Sequence, residues 1–460
     1  MIGICARIQT VESQPSRMGK AIVIGASISG LLAARALANH FSQVTIIERD
    51  VLPPPGQPRK GVPQGRHAHV LLAHGRDVLE AFFPGLTQEL QSQGATVGDA
   101  SETVRWFSNG AYTRNFHSGL IAVQASRPML EGLVARRLLA MPNVTLLGNH
   151  DAVELVTSPA GSAAEVCVAG VKVEDRSGPA PVEISLEADL VVDAGGRGSR
   201  CLAWLESLGY ARPEEEHIKM NLCYTTRVFR RRPEDAGGHS PIVILPNEKN
   251  MRGGTMLAVE GDRWIATLAG YLGDAAPADM AGYLEFARSL DAPDCYDIMK
   301  TAEPLGEASQ FKYPASQRRH FEKLTSFPEG YLVCGDAVCS FNPIYGQGMT
   351  TAASEAILLD ECLRAGLPGI ARRFFIRASR MLDAPWTIAA GSDLAYPQVE
   401  GKRPRSGRLV RLYLSQMLEV MREDAGLNIA FQKVSNLIEP PASLFSPNII
   451  LRVLFGRVKR

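Results

Sequence analysis

Apolar residues fall in two alternating rhythms along this chain, and the order of those rhythms predicts its architecture. AIVIG (21–25) is a short unbroken apolar run, as expected of a strand buried on both faces. ASISG follows, then LLAARALANHF, where small and apolar residues recur at helical spacing. SQVTIIERD is a second buried strand with an acidic residue at its end. Strand, glycine turn, helix, strand is a parallel βαβ unit. VLPPPGQPRKGVPQG (51–65) is a Pro/Gly-rich loop, after which helical spacing resumes through VLLAHGRDVLEAFF.

Further on, VRWFSNGAYTRNF (104–116) is two alternating runs joined by Asn109-Gly110, a hairpin signal. SRPMLEGLVARRLLAM (126–141) predicts an amphipathic helix and NVTLLG a strand. Strands are expected in AEVCVAGVKVED and VEISLEADLVVDAGG, and again through MNLCYTTRVF, PIVILP, TMLAVEG and RWIATLAGY between 219 and 272. AGYLEFARSL and ILLDECLRAG are helical patterns, and 370–460 is mainly helical, interrupted by AYPQVEGKRPRSG.

Strand-rich stretches thus interrupt a βαβ frame twice. The simplest account is an α/β protein: a discontinuous Rossmann-type domain, an antiparallel-sheet domain built from its insertions, and a helical C-terminal segment. The expected division is a disordered leader over 1–17, with Met18 a possible true start. Nucleotide-binding segments follow at 18–100, 120–206 and 319–369, a sheet-domain hairpin at 101–119, the sheet domain proper at 207–318, and the helical segment at 370–460. No repeat of solenoid length is present.

Composition narrows the class. At 460 residues the chain is too long for one core. Forty-five per cent hydrophobic and 21% charged is ordinary for a globular protein. The 49 basic and 48 acidic side chains leave a net charge of +1, so no long-range field favours nucleic acid. The eight cysteines are scattered without a CxxC pair and read as reduced thiols of a cytoplasmic protein. Cys334 and Cys339 lack further Cys or His ligands nearby, so no metal site is expected. No apolar run reaches the length of a membrane helix. SLFSPNIILRVLFGRVKR, with Arg452, Arg457, Lys459 and Arg460, reads first as a final capping helix and second as a membrane-surface helix.

GASISG (25–30) stands where a Rossmann fingerprint has GxGxxG. Gly25 makes the tight turn and Gly30 lets helix and strand pack closely, while the helix N-terminus points amides at a pyrophosphate. Ser27 replaces the middle glycine; with Ser29 it offers a hydroxyl to the phosphates. Glu48 ends the second strand 18 residues after Gly30, placed for adenosine ribose hydroxyls, with Arg49 beside it. This turn does not distinguish FAD from NAD.

That distinction comes from YLVCGDAVCSFNPIYGQGMTTAASEAILL (331–359). A buried strand ends at Asp336, whose carboxylate can accept from a ribityl hydroxyl. A loop with Pro343, Gly346 and Gly348 then leads into a helix near Met349. Such a helix start directs N–H groups and positive dipole at the flavin edge that turns negative on reduction.

Together the first turn, Arg127 in SRPMLE, LVVDAGGRGSR (190–200) and GDAVCSFNPIYGQGM resemble the aromatic-hydroxylase-like FAD monooxygenase superfamily. The resemblance implies that Gly25, Gly30 and Glu48 bind the AMP half of FAD, Asp336 the ribityl chain, and Arg127 the flavin. More narrowly, RKGVPQGRHAHVLLAHG (59–75) and PWTIAAGSDLAYP (385–397) are similar to bacterial polyene epoxidases of polyether antibiotic pathways. This second likeness implicates Arg66 and His67 near the flavin; with Pro343 they are the weak catalytic candidates. A hydrogen-bonded loop is the other reading of Arg66, His67, His69 and His74.

One departure matters. The superfamily's middle motif usually carries Ala-Asp-Gly, and this chain has Ala194-Gly195-Gly196. Electrons are therefore expected from NAD(P)H directly or through a separate flavin reductase. The resemblance implies a flavin C4a-hydroperoxide that passes one oxygen to a small lipophilic partner, a terpenoid or polyketide of secondary metabolism. Epoxidation needs no protein base, whereas phenol hydroxylation does. Tyr224, Arg227, His239 and Tyr271 are structural before they are catalytic. Leu222, Phe229, Ile244, Met256 and Trp264 suggest a pocket wall or plain core, core being favoured. A flavin reductase or dehydrogenase of prenyl chains is the alternative. A flavin halogenase is less favoured, because its WxWxIP motif is absent. A non-catalytic flavin-binding protein is a fourth reading.

Overall fold

The computed structural model describes residues 17–159, 166–403 and 407–456. Most of the expected leader, Cys5 and the last four residues lie outside them.

Five parallel strands form the central sheet, in the order Tyr331–Val333, Leu190–Asp193, Met18–Ile24, Phe41–Glu48, Val144–Gly148. Val23 lies between Val192 on one side and Ile46 on the other, and all three are buried. Strands covered on both faces need apolar residues without alternation, which AIVI, LVV and YLV supply. Helices Ile28–Leu37, Arg127–Leu139 and Gly348–Leu363 pack against this frame. Glu48 and Asp193 both stand at strand C-terminal ends, where ligands bind in open α/β sheets.

The second large sheet has eight strands, in the order Cys339–Ser340, Ser309–Arg319, Glu215–Arg230, Arg263–Gly270, Arg252–Val259, Ile242–Ile244, Arg105–Ser108, Ala111–Tyr112. The Asn109-Gly110 hairpin is present, both residues having positive φ (49° and 82°) as a two-residue type I′ turn requires. It joins the sheet through Arg105–Ser108, parallel to Ile242–Ile244. Helices Met280–Arg288 and Asp294–Met299 close a second core around Phe229, Trp264 and Tyr283. Helices Ile370–Asp393, Gly407–Val420, Ala425–Ser435 and Pro447–Phe455 make up the C-terminal part. The α/β class, the antiparallel sheet and the helical C-terminus are those the sequence predicts.

Two details differ. VEISLEADLVVDAGG is two strands: Val182–Glu187 pairs antiparallel with Val166–Asp175, and Leu190–Asp193 enters the parallel sheet. The break falls at Ala188-Asp189, where the Asp189 carboxylate accepts from the Lys20 amide. VLLAHGRDVLEAFF begins as strand, since Val70–Leu71 pairs with Ile121–Gln124 before the helix starts at Ala73.

Candidate functional site

A continuous cavity of about 2380 Å³ runs between the two sheets and out along the C-terminal helices. Its first wall is the turn after the opening strand. Gly25 has φ +97°, and a Cβ there would lie 2.8 Å from the Ala194 carbonyl oxygen. At Gly30 a Cβ would lie 1.8 Å from the Gly25 carbonyl oxygen, so this glycine allows the close turn without itself lining the cavity. Ser27 and Ser29 both face the cavity. The Ser27 hydroxyl accepts from Arg127 Nη2 at 3.1 Å, and Ser29 Oγ lies 3.6 Å from Cys334 Sγ.

Behind this turn sits a charged cluster that the sequence reading only half identified. Glu48 accepts from the amides of Ala26 (2.8 Å) and Asp50 (3.0 Å) and pairs with Arg59 Nη1 at 2.7 Å. Arg59 also donates to Glu131 Oε1 at 3.0 Å, and Arg127 Nε donates to Glu131 Oε2 at 2.6 Å. Burial disfavours the Arg59 charge, but Glu48 and Glu131 more than offset it and hold the guanidinium ionised. Arg59 and Glu131 were missed. Their signals were an arginine in the Pro/Gly-rich loop and a glutamate one helical turn after Arg127, neither informative without the fold. Arg49 lines the same end of the cavity and is exposed.

Asp336 lines the cavity with the Gly25 turn, although 310 residues of chain lie between Gly25 and Asp336. The strand Tyr331–Val333 brings it there, followed by a tight turn at Gly335 (φ +68°). Asp336 is open towards the cavity and enclosed elsewhere. That enclosure pushes its pKa up, while Arg127 and Arg197 pull it down. Next to it Glu355, from helix Gly348–Leu363, accepts from the Gly335 amide at 2.7 Å. Burial, with the nearby Asp336 charge, pushes its pKa up to about 8.

The loop Asn342–Met349 completes this end. Asn342 Oδ1 caps the Ile344 amide at 3.1 Å, and Asn342 Nδ2 donates to Tyr271 Oη and Asp393 Oδ1. Tyr271 and Tyr345 donate to the same Asp393 oxygen, so the start of the loop is fixed to both the antiparallel sheet and helix Ile370–Asp393. Pro343, Gly346 (φ +65°), Gly348 and Met349 all line the cavity. Gln347 is buried with Oε1 lacking a hydrogen-bond partner.

On the sheet side His67 Nδ1 lies 2.8 Å from Thr226 Oγ1, which lies 2.6 Å from Thr267 Oγ1. Burial, aided by the Arg66 charge, lowers the His67 pKa to about 4, so the ring is neutral at pH 7. Arg66 itself is exposed and does not line the cavity. His69 is bound to the His67 carbonyl and His74 to Ser354. Among the sheet candidates only Tyr224 reaches the cavity; Arg227 donates to the carbonyls of Gly306 and Ala278. Leu222, Phe229, Ile244, Met256 and Trp264 are all core. The wall is formed instead by their strand neighbours Val243, Thr255 and Leu257, one residue away and so on the opposite face.

In the Ala194-Gly195-Gly196 stretch, Asp193 accepts from the Gly195 amide, Ser199 Oγ and Tyr331 Oη, at 2.7–2.9 Å. These three donors hold the turn. The seven described cysteines are free thiols, and no described helix is long and apolar enough to cross a membrane.

This combination of parallel sheet, antiparallel sheet and helical C-terminus is the fold of the FAD-dependent hydroxylases and halogenases. PqsL, a probable FAD-dependent monooxygenase from Pseudomonas aeruginosa, superimposes with a TM-score of 0.61 at 15% identity, over 82% of this chain and 96% of its own. The flavin-dependent brominase Bmp2 superimposes with a TM-score of 0.64 at 14% identity, over 94% and 97%. No family model matches the sequence. The chain belongs to the same family as Protein Rv3254 of Mycobacterium tuberculosis: the two are 31% identical over 445 residues, 94% of this chain and 93% of that one.

Proposed function

We propose that this chain is an FAD-dependent monooxygenase that places one atom of O2 into a lipophilic organic molecule. The observation that carries this reading is the shared cavity of the Gly25 turn, Arg127 and Asp336. The residues present suit FAD. Gly25 and Ser27 lie at a helix N-terminus suited to phosphate, with Ser29, Arg49 and Arg127 nearby. Glu48 has remaining acceptor capacity on Oε1 for a ribose hydroxyl. Asp336 faces the cavity where a ribityl hydroxyl could donate to it. Gln347 Oε1 is a buried acceptor still without a donor. Pro343, Gly346, Gly348 and Met349 would border the isoalloxazine. When bound and reduced, FAD would supply the two electrons that activate O2, one atom of which passes to the substrate while the other leaves as water.

The protein's part is to bind, orient and exclude water. The start of helix Gly348–Leu363 would stabilise negative charge on the reduced ring. The wall of Val243, Thr255, Leu257, Thr267 and Phe311 is uncharged, and burial keeps the Tyr224 and Tyr313 phenols beside it protonated, as suits an alkene that needs no base. His67, neutral and tied to Thr226, can orient a polar substituent. Epoxidation of a terpenoid or polyketide alkene in the cytoplasm is the finer reading. It draws on the likeness of residues 59–75 and 385–397 to the polyene epoxidases. Because the three donors on Asp193 leave it committed to the turn, a separate flavin reductase is favoured over direct NAD(P)H as electron source.

The experiment is incubation of reduced holoprotein with 18O2 and polyene or terpenoid alkenes, read by mass spectrometry. Label in an epoxide supports the finer reading and label in an alcohol supports hydroxylation. A product changed by two hydrogens without label assigns a reductase or dehydrogenase. A halogenated product formed with bromide or chloride assigns a halogenase.

A further inference from the structure

Charge and exposed apolar surface are both unevenly distributed along this chain, and they gather in the same place. Residues 401–460 hold 11 Lys/Arg against 4 Asp/Glu, while the first 400 hold 38 against 44. The near-zero balance of the whole therefore conceals a basic C-terminal part on an acidic body. Among the described residues, seven of the twelve exposed large hydrophobic residues lie within 407–456: Leu409, Leu412, Ile438, Phe445, Leu451, Leu454 and Phe455.

The last described helix, Pro447–Phe455, is amphipathic in an unusual sense. Val453 and Ile449 pack into the small core of the C-terminal helices. Pro447, Leu451, Leu454 and Phe455, at i, i+4, i+7 and i+8, form one outward stripe. Leu451 and Leu454 are 55% exposed and Phe455 77%. Arg457, Lys459 and Arg460 follow directly in the sequence. Beside this helix Arg411, Leu412 and Phe445 are exposed and also line the large cavity, so the cavity opens within the same surface.

We propose that helices Gly407–Val420 and Pro447–Phe455 form a docking surface for an anionic lipid bilayer, set around the mouth of the cavity. Leucine and phenylalanine facing outward beside the exposed Arg411, with Arg457, Lys459 and Arg460 next in the sequence, match the boundary between acyl chains and acidic headgroups. A second copy of this chain is disfavoured as occupant, because two such faces would bring like charge together. Nucleic acid is disfavoured because the leucine stripe offers nothing to phosphates. The proposal concerns where the protein sits and does not depend on its redox chemistry.

The test is co-sedimentation of the full chain with vesicles of phosphatidylcholine alone, and of phosphatidylcholine with about one third phosphatidylglycerol. The protein should sediment with the anionic vesicles and be released by salt. Leu454→Glu/Phe455→Glu should weaken this by about tenfold or more, with an unchanged circular-dichroism melt. Should that pair perturb folding, Leu451→Glu gives the same reading from a single exposed site. Failure to sediment with either vesicle overturns the proposal. A doubled mass in light scattering that the same substitutions abolish would assign the surface to a second copy. Retention of a single-stranded RNA probe without vesicle binding would assign it to nucleic acid. Neither result bears on the 18O2 experiment.

Discussion

The Glu355 carboxylate accepts from the Gly335 amide at 2.7 Å, joining the helix that starts at Gly348 to the turn that presents Asp336. Glu355 is buried, and its pKa in the folded protein is about 8, against 4.5 ordinarily. A carboxyl whose folded pKa is raised gives stability that is complete below the unfolded pKa. That stability is lost as pH rises through the folded value. Between about pH 4.5 and 8 the protein should therefore lose stability on the order of a few kcal/mol from this group. Glu355→Gln should flatten that dependence, so that the variant gains on the parent as pH approaches 8. Thermal melts of both proteins across this range are the measurement; parallel curves would remove Glu355 as the cause.

Gly335 is also a steric requirement. A Cβ there would lie 2.4 Å from Ser29 Oγ, and the residue has φ +68°. Gly335→Ala should destabilise the protein by about 1–3 kcal/mol and weaken FAD binding, since both walls of the cavity shift. Pairing it with Ser29→Ala should recover part of the loss, which denaturant titration of the double variant will read. No recovery would mean that the backbone conformation dominates.

Asp336→Ala should weaken FAD binding by about 1.5–3 kcal/mol, the worth of a hydrogen bond to a charged acceptor. That is roughly a ten- to hundredfold change in Kd, measured by flavin fluorescence titration of the apoprotein. The parent protein should be yellow as purified and release FAD on denaturation. An unchanged Kd in the variant contradicts the role proposed for Asp336.

Asp193 accepts from three protein donors, and the next position but one is Gly195, where the resembled superfamily carries an aspartate. Anaerobic bleaching of the bound flavin should therefore be slow with NADPH alone and fast when a flavin reductase is added. Stopped-flow absorbance separates the two, and rapid bleaching by NADPH alone would make the protein its own reductase.

The parallel sheet was legible because strands buried on both faces must be apolar at every position, and AIVI, LVV and YLV have no other use in a chain of this composition. The antiparallel wall was legible only in outline. Alternation reveals that a strand has two faces but not which one meets a core, so Phe229 and Trp264 drew notice while Val243 and Leu257 line the cavity. Arg59, Glu131 and Glu355 carry no local signal that is informative without the fold, because each gains its role from a partner the fold brings near. Arg66 and His67 are adjacent in sequence, yet one is exposed and the other faces the cavity, which only the turn between them determines.

The strand order has a bearing on biosynthesis. As the polypeptide leaves the ribosome, residues 1–148 can supply just three neighbouring members of the parallel sheet. The fourth arrives with Leu190–Asp193, and the fifth waits for Tyr331–Val333, about 140 residues later. A nascent chain halted before that point exposes an open apolar edge where Leu190–Asp193 awaits its partner, a template for aggregation. Chaperone dependence during translation should accordingly be greatest before residue 331 emerges.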